Sequence, residues 1–136
     1  MTSAQIQRIH HSWRLLKAVD PAIVGDVFYS RLFFLHPRLR GMFPKKMEEQ
    51  HQKLIDMLSH MVARLDQPEQ LAQEVQAMGA RHLGYGVKPE HYAMVGDALL
   101  WTLEKGLGHD WTPETAEAWA ACYDLIAGKM MEVTAG

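Results

Sequence analysis

The stretch 47–65, MEEQHQKLIDMLSHMVARL, sets apolar side chains at Met47, Leu54, Met57, Leu58, Met61 and Leu65, a spacing that only a helix gathers onto one face. The same recurrence of three and four appears upstream at Ile6, Ile9, Trp13 and Leu16, and downstream at Trp119, Tyr123, Ile126 and Met130. No stretch alternates with the period of two that marks a half-buried strand. Composition agrees, since β-branched residues are sparse while Ala, Leu, Met, Gln and Glu are plentiful. The prolines divide the chain, because the ring is tolerated in the first helical turn and clashes with the preceding turn anywhere deeper. Asp20-Pro21, His36-Pro37, Gln67-Pro68, Lys88-Pro89 and Thr112-Pro113 therefore read as helix starts, and Pro44 as a corner. Thr2-Ser3-Ala4-Gln5 has capping-box spacing, and Gly84-Tyr85-Gly86 and Gly106-Leu107-Gly108 supply helix stops. The expected helices lie near 3–18, 21–35, 37–42, 47–65, 68–83, 89–106 and 113–133, an all-α domain of about seven helices spanning 1–136.

A chain of 136 residues with 48% hydrophobic content is long enough to bury its own core without disulfides or structural zinc. Fourteen basic against 16 acidic side chains leave a formal charge of −2, which makes nucleic acid a poor expectation as partner. One cysteine, Cys122, excludes a disulfide framework and reads as a buried small side chain. The start MTSAQIQRIHHSW has none of the features of a secretory signal, and no apolar run approaches a membrane span, so a cytoplasmic location is expected. Phosphate-binding glycine loops, the serine hydrolase elbow and paired carboxylates are all missing, which sets aside phosphoryl and acyl transfer.

Eight histidines remain. His10, His36, His51, His91 and His109 lie beside polar or helix-terminal residues and read as solvated or capping, and His60 is a weak candidate for a pocket. No spacing suits a zinc site. His82 differs: it occupies the last turn of a helix in Arg81-His82-Leu83, before the bend through Gly84-Tyr85-Gly86-Val87. An imidazole placed there can coordinate a metal through one nitrogen while the other bonds to a neighbouring carbonyl, which fixes its tautomer. The plainer alternative is a cation favoured by the helix dipole.

Several segments together resemble the globin family, in particular single-domain bacterial haemoglobins and the haem domain of flavohaemoglobins. They are Phe28-Tyr29-Ser30-Arg31-Leu32-Phe33, Leu35-His36-Pro37, Met42-Phe43-Pro44 and Met47-x-x-Gln50-x-x-Lys53-Leu54. Arg81-His82-x-x-Tyr85-Gly86-Val87, His91-Tyr92, Val95-Gly96 and Trp119-x-x-x-Tyr123 complete the set. The resemblance runs nearly end to end. It implies a globin fold around haem b (iron protoporphyrin IX), with His82 as proximal iron ligand and Phe43 packed flat on the porphyrin. It also implies that Tyr29 is the distal tyrosine, donating to a ligand on iron, with Gln50 bridging to it. Gln50 and Leu54 are four apart and so share one helix face, which Met47 extends. Lys53 and Arg81 become candidates to pair with the haem propionates, Val87 presses on the haem edge, and Tyr123 faces the proximal side.

Two departures stand out. Relatives share a proximal triad of histidine, tyrosine and a glutamate three turns beyond the tyrosine, where this chain has Thr134; Glu132, two residues earlier, points about 200° away around the helix. Without that carboxylate His82 pushes less electron density to iron, and peroxidase-like cleavage is not expected. Flavohaemoglobins also need FAD and NAD domains to re-reduce the iron; none is expected here, so electrons are expected from a separate cellular reductase. The resemblance thus implies a binder of dioxygen and of other diatomics, nitric oxide and carbon monoxide, with a vacant or water-bound sixth site. Nitric oxide dioxygenation dependent on that reductase is the alternative, and a haem-based gas or redox sensor a further one.

Overall fold

Five of the six prolines stand in the first turn of a helix, where the missing N–H would have had no helical partner anyway. The computed structural model describes residues 1–135, with side chains through Glu132. It contains α1 (Ser3–Lys17), α2 (Pro21–Leu35), a 3₁₀ turn (Pro37–Met42), α3 (Glu48–Ala63), α4 (Pro68–Gly84), α5 (Pro89–Leu107), a second 3₁₀ turn (Gly108–Asp110) and α6 (Pro113–Ala135). The cap expected at the start forms: Thr2 Oγ1 accepts from the Gln5 N–H at 3.1 Å and Gln5 Oε1 accepts from the Thr2 N–H at 3.0 Å. Asp20 caps α2 by accepting from the Ala22 N–H at 2.9 Å.

The differences from the expected boundaries are small and local. Met47 is the residue before α3 and not its first turn, and the C-terminal end of that helix frays after Ala63 as Arg64 bonds back to Met61. Gly108, at φ +53°, stops α5 and opens a turn that apolar periodicity does not reveal.

Helix α2 packs on α3 and α5, α4 on α6, and α1 across α3, α5 and α6. Ile9, Leu32, Val75 and Leu103 are fully buried at the centre. Two indoles tie α1 into the rest. Trp13 donates to Ser59 Oγ at 3.1 Å, Trp119 to Ser12 Oγ at 2.9 Å, and their rings lie 6.1 Å apart. Helices α3 and α4 do not pack along one another in this way. At one end they are bridged by Glu74, which pairs with His60 at 2.9 Å and with Arg64 at 2.7 Å. Elsewhere the space between them is a cavity.

Candidate functional site

The cavity has a volume of about 520 Å³ and an overwhelmingly apolar wall, the character of a cofactor or small-molecule site. Five methionines line it, Met42, Met57, Met61, Met78 and Met130, and these flexible thioethers adapt to an irregular occupant.

His82 enters from the α4 side. Its Nδ1 lies 2.7 Å from the carbonyl oxygen of Met78, one turn earlier, so the proton sits on Nδ1 and Nε2 keeps its lone pair. The end of α4 is fixed by a Schellman arrangement. Val87 N–H donates to His82 O and Gly86 N–H to Leu83 O, each at 3.1 Å, with Gly86 at φ +81°. That reversal brings Val87 back to the cavity wall beside His82. The glycine reading therefore positions the imidazole as well as ending a helix.

Tyr29 and Gln50 enter from α2 and α3. Gln50 Nε2 donates to the Tyr29 hydroxyl at 3.1 Å, and both side chains line the cavity. Burial pushes the Tyr29 phenol above its ordinary value, an effect that the Gln50 bond partly offsets. The Tyr29 ring meets three phenylalanines, edge-on to Phe28 at 4.8 Å and to Phe43 at 5.3 Å and stacked on Phe33 with centroids 5.8 Å apart. Helices α2 and α3 can meet this closely because of Gly25: a Cβ there would lie 2.5 Å from His51 Cβ and 2.8 Å from His51 Cα.

The other expected site residues divide. Phe43, Leu54, Lys53, Arg81, Val87 and Tyr123 all line the cavity, with Lys53 and Arg81 exposed at its edge. Lys53 also borders a second hollow of about 410 Å³ at the mouth, with Pro44, Lys46, Glu48, Glu49 and Gln50. Met47 does not line the cavity. It stands just ahead of α3, where its carbonyl accepts from the His51 N–H at 2.9 Å, and packs against the core. Tyr123 donates to the Tyr92 carbonyl at 2.6 Å and fills the space left by Gly96, where a Cβ would lie 2.6 Å from its ring. Burial pushes its phenol up, with Tyr92, Asp124 and Asp97 adding to the shift. Thr134, the position of the expected third member of a proximal triad, lies outside the described side chains.

Two histidines, His10 and His51, differ from expectation. His10 is half-buried, with Nε2 2.8 Å from the Val62 carbonyl oxygen, so it bonds across to α3. His51 is half-buried with its ring stacked on Tyr29 at 5.7 Å, and does not line the cavity. His60 pairs with Glu74 outside the cavity. Tyr92, quoted above only as part of a pattern, lines the cavity with a buried hydroxyl that has no hydrogen-bond partner among the described residues. Helical spacing assigns Tyr92 to an inward face but cannot tell a core tyrosine from one facing a cavity.

A flat apolar cofactor held by one metal bond needs a slot between helices, a nitrogen lone pair in its wall and cations at the rim for charged substituents. This cavity provides all three, and among the described residues no cluster of three His, Cys, Asp or Glu offers a separate metal site. No helix among the described residues is long and apolar enough to cross a membrane.

Comparison with known proteins points the same way. A family model described as Globin matches residues 26–130. The flavohemoprotein of Rhizobium meliloti (strain 1021) is 34% identical over 132 residues, 88% of this chain and 33% of that protein. That of Bordetella pertussis is 35% identical over 128 residues, 85% of this chain and 32% of the relative. The chain thus spans about a third of the length of these curated relatives. A bacterial globin from Campylobacter jejuni matches in structure with a TM-score of 0.83 at 25% identity, over 97% of this chain and 95% of that one. A hexacoordinated heme protein from an anhydrobiotic tardigrade matches with a TM-score of 0.89 at 16% identity, over 100% and 96%, and bears on the fold alone.

Proposed function

The chain belongs to the globin family, and from that premise we propose that it is a haem-b protein binding dioxygen reversibly, with His82 as the iron ligand and Tyr29 and Gln50 as the distal donors. When bound, the haem supplies a ferrous iron with affinity for dioxygen, nitric oxide and carbon monoxide. The chain does the rest. His82 offers Nε2 because Met78 O holds the proton on Nδ1. Phe43, Leu54 and Val87 exclude water from the cavity, and Lys53 and Arg81 stand where charged substituents of the porphyrin would emerge. Gln50 spends one amide hydrogen on the Tyr29 oxygen, which leaves the Tyr29 hydrogen free for the ligand. A neutral ligand that accepts poorly, such as carbon monoxide, gains less from that donor than dioxygen does. The observation that carries this reading is the convergence of an Nδ1-bonded imidazole from α4 and a Tyr29–Gln50 pair from α2 and α3 on one apolar cavity.

Likeness to flavohemoproteins over most of this chain supports a second reading, nitric oxide dioxygenation with electrons from a separate reductase. Both readings need the same pocket. Nitrate formed catalytically from nitric oxide, air and an added reductase would favour the second, and stoichiometric conversion the first.

The test of haem binding is the absorption spectrum of the purified protein offered haem, under air and then under carbon monoxide. A Soret band that shifts with carbon monoxide is expected, and no Soret band would remove every haem reading. The reduced, ligand-free protein should lack the two sharp visible bands of a six-coordinate haem, because the His51 ring is held against Tyr29. His82→Gly should lose the protein-derived axial bond and regain it with added imidazole; an unchanged spectrum would assign the iron to another side chain.

A further inference from the structure

The corner between the first 3₁₀ turn and α3 is a part of the cavity wall outside the helices, and a single side chain spans it. Arg40 Nη1 donates to the carbonyls of Phe43 at 3.3 Å and Pro44 at 2.9 Å, and Nη2 donates to that of Lys45 at 2.9 Å. The Arg40 carbonyl accepts from the Phe43 N–H at 3.2 Å, so Phe43 is bonded to Arg40 through both of its backbone groups. The guanidinium carbon lies 5.5 Å from the centre of the Phe33 ring, and Phe33 meets Phe43 edge-on at 5.4 Å. Phe33 and Phe43 are two of the four rings against which Tyr29 packs, with Phe28 and His51. Charge, three carbonyls, two phenylalanines and the distal hydroxyl thus form one continuous chain of contacts.

We propose that Arg40 is a positioning residue for the gas site. It holds the 43–45 corner, through the corner the Phe43 ring, and through the Phe33–Phe43 wall the direction in which Tyr29 presents its hydroxyl. Only a planar, permanently charged fork satisfies three successive carbonyls at once; a lysine is a point charge that reaches one or two of them. The proposal rests on the distal role given to Tyr29 above, and its test separates the two.

The variants are Arg40→Met, Arg40→Gln and Arg40→Lys, with the exposed neighbour Arg38→Met as control. The first measurement uses the haem-free protein and reads tryptic cleavage after Lys45 and Lys46 by mass spectrometry. A released corner should be cut about tenfold faster in Arg40→Met, with Arg40→Lys intermediate and Arg38→Met unchanged. An unchanged rate would overturn the clasp, whether or not the protein takes up haem. The second measurement uses the haem-loaded protein and reads the C–O stretching band of its carbon monoxide complex together with oxygen release. Arg40→Met should broaden or split the band and speed release by about fivefold, with Arg40→Lys recovering part of both. Faster cleavage with an unaltered band and release rate would make Arg40 a merely structural clasp and overturn the positioning role. Should Arg40→Met fail to fold, Arg40→Gln and Arg40→Lys carry the same comparison.

Discussion

The Tyr29 hydroxyl accepts from Gln50 and so keeps its own proton to give, a polarised arrangement in which each bond strengthens the next. Removing one such donor costs on the order of 1–3 kcal/mol, so Tyr29→Phe is expected to speed oxygen dissociation by about tenfold in stopped-flow measurements. Gln50→Leu should have a smaller effect, since the phenol remains. Because burial holds the Tyr29 pKa above its ordinary value of 10.0, the rate should stay flat through neutral pH and into the usual range of tyrosine ionisation. A rise well below that range would mean that some other group is the donor. His82 was legible in the sequence from its place in the last turn before a glycine bend, whereas Tyr29 entered only with the family resemblance, which also supplies the roles proposed for His82, Tyr29 and Gln50. Met47 continues the apolar stripe in sequence but stands just ahead of α3 and packs against the core without lining the cavity, a distinction that spacing alone does not draw. Arg40 carried no signal at all, since its partners are carbonyls and every residue has one.

At the scale of helices, the distal pair depends on how closely α2 crosses α3, and Gly25 sets that distance. A methyl group there would meet the backbone of α3 at His51 Cα, 2.8 Å away, which cannot yield as the end of a flexible side chain can. Gly25→Ala is therefore expected to lower stability by about 1–3 kcal/mol in urea unfolding and to speed oxygen release while both donors remain. A variant that kept wild-type release would show that the crossing does not govern the Tyr29–Gln50 contact. The prolines made the order of helices readable, because each is a steric prohibition that acts locally. Glycines were less readable: Gly25 sits mid-helix as Gly128 does, yet a Cβ at Gly128 would meet nothing, and only the packed neighbour separates the two.

For the molecule as a whole, several acids are buried in neutral form. Burial pushes the Cys122 thiol from an ordinary value of 9.0 up to about 12, and the phenols of Tyr29, Tyr92 and Tyr123 are all raised from 10.0. Folded-state values above the unfolded ones mean that the unfolded chain loses these protons first. Stability is then full below about pH 9 and falls as pH rises toward 12. Each such group steepens the fall by about 1.4 kcal/mol per pH unit over its own interval. Cys122→Ala should make the decline shallower from about pH 9 upward in urea titrations at stepped pH, and an identical slope would exclude the thiol as a cause. The all-α class and the helix order followed from periodicity and punctuation, and the globin fold from the family resemblance. The cavity did not, because an apolar side chain facing an opening and one facing another side chain obey the same spacing. The indole of Trp119 makes that cavity observable from outside: it is 2% exposed, lies on the cavity wall and stands 6.1 Å from Trp13. A porphyrin absorbs in the band where tryptophan emits, so seating one beside these rings should extinguish most of the ultraviolet-excited fluorescence by resonance transfer. The dimming on titration with haem would give the occupancy of the site directly, without any attached dye.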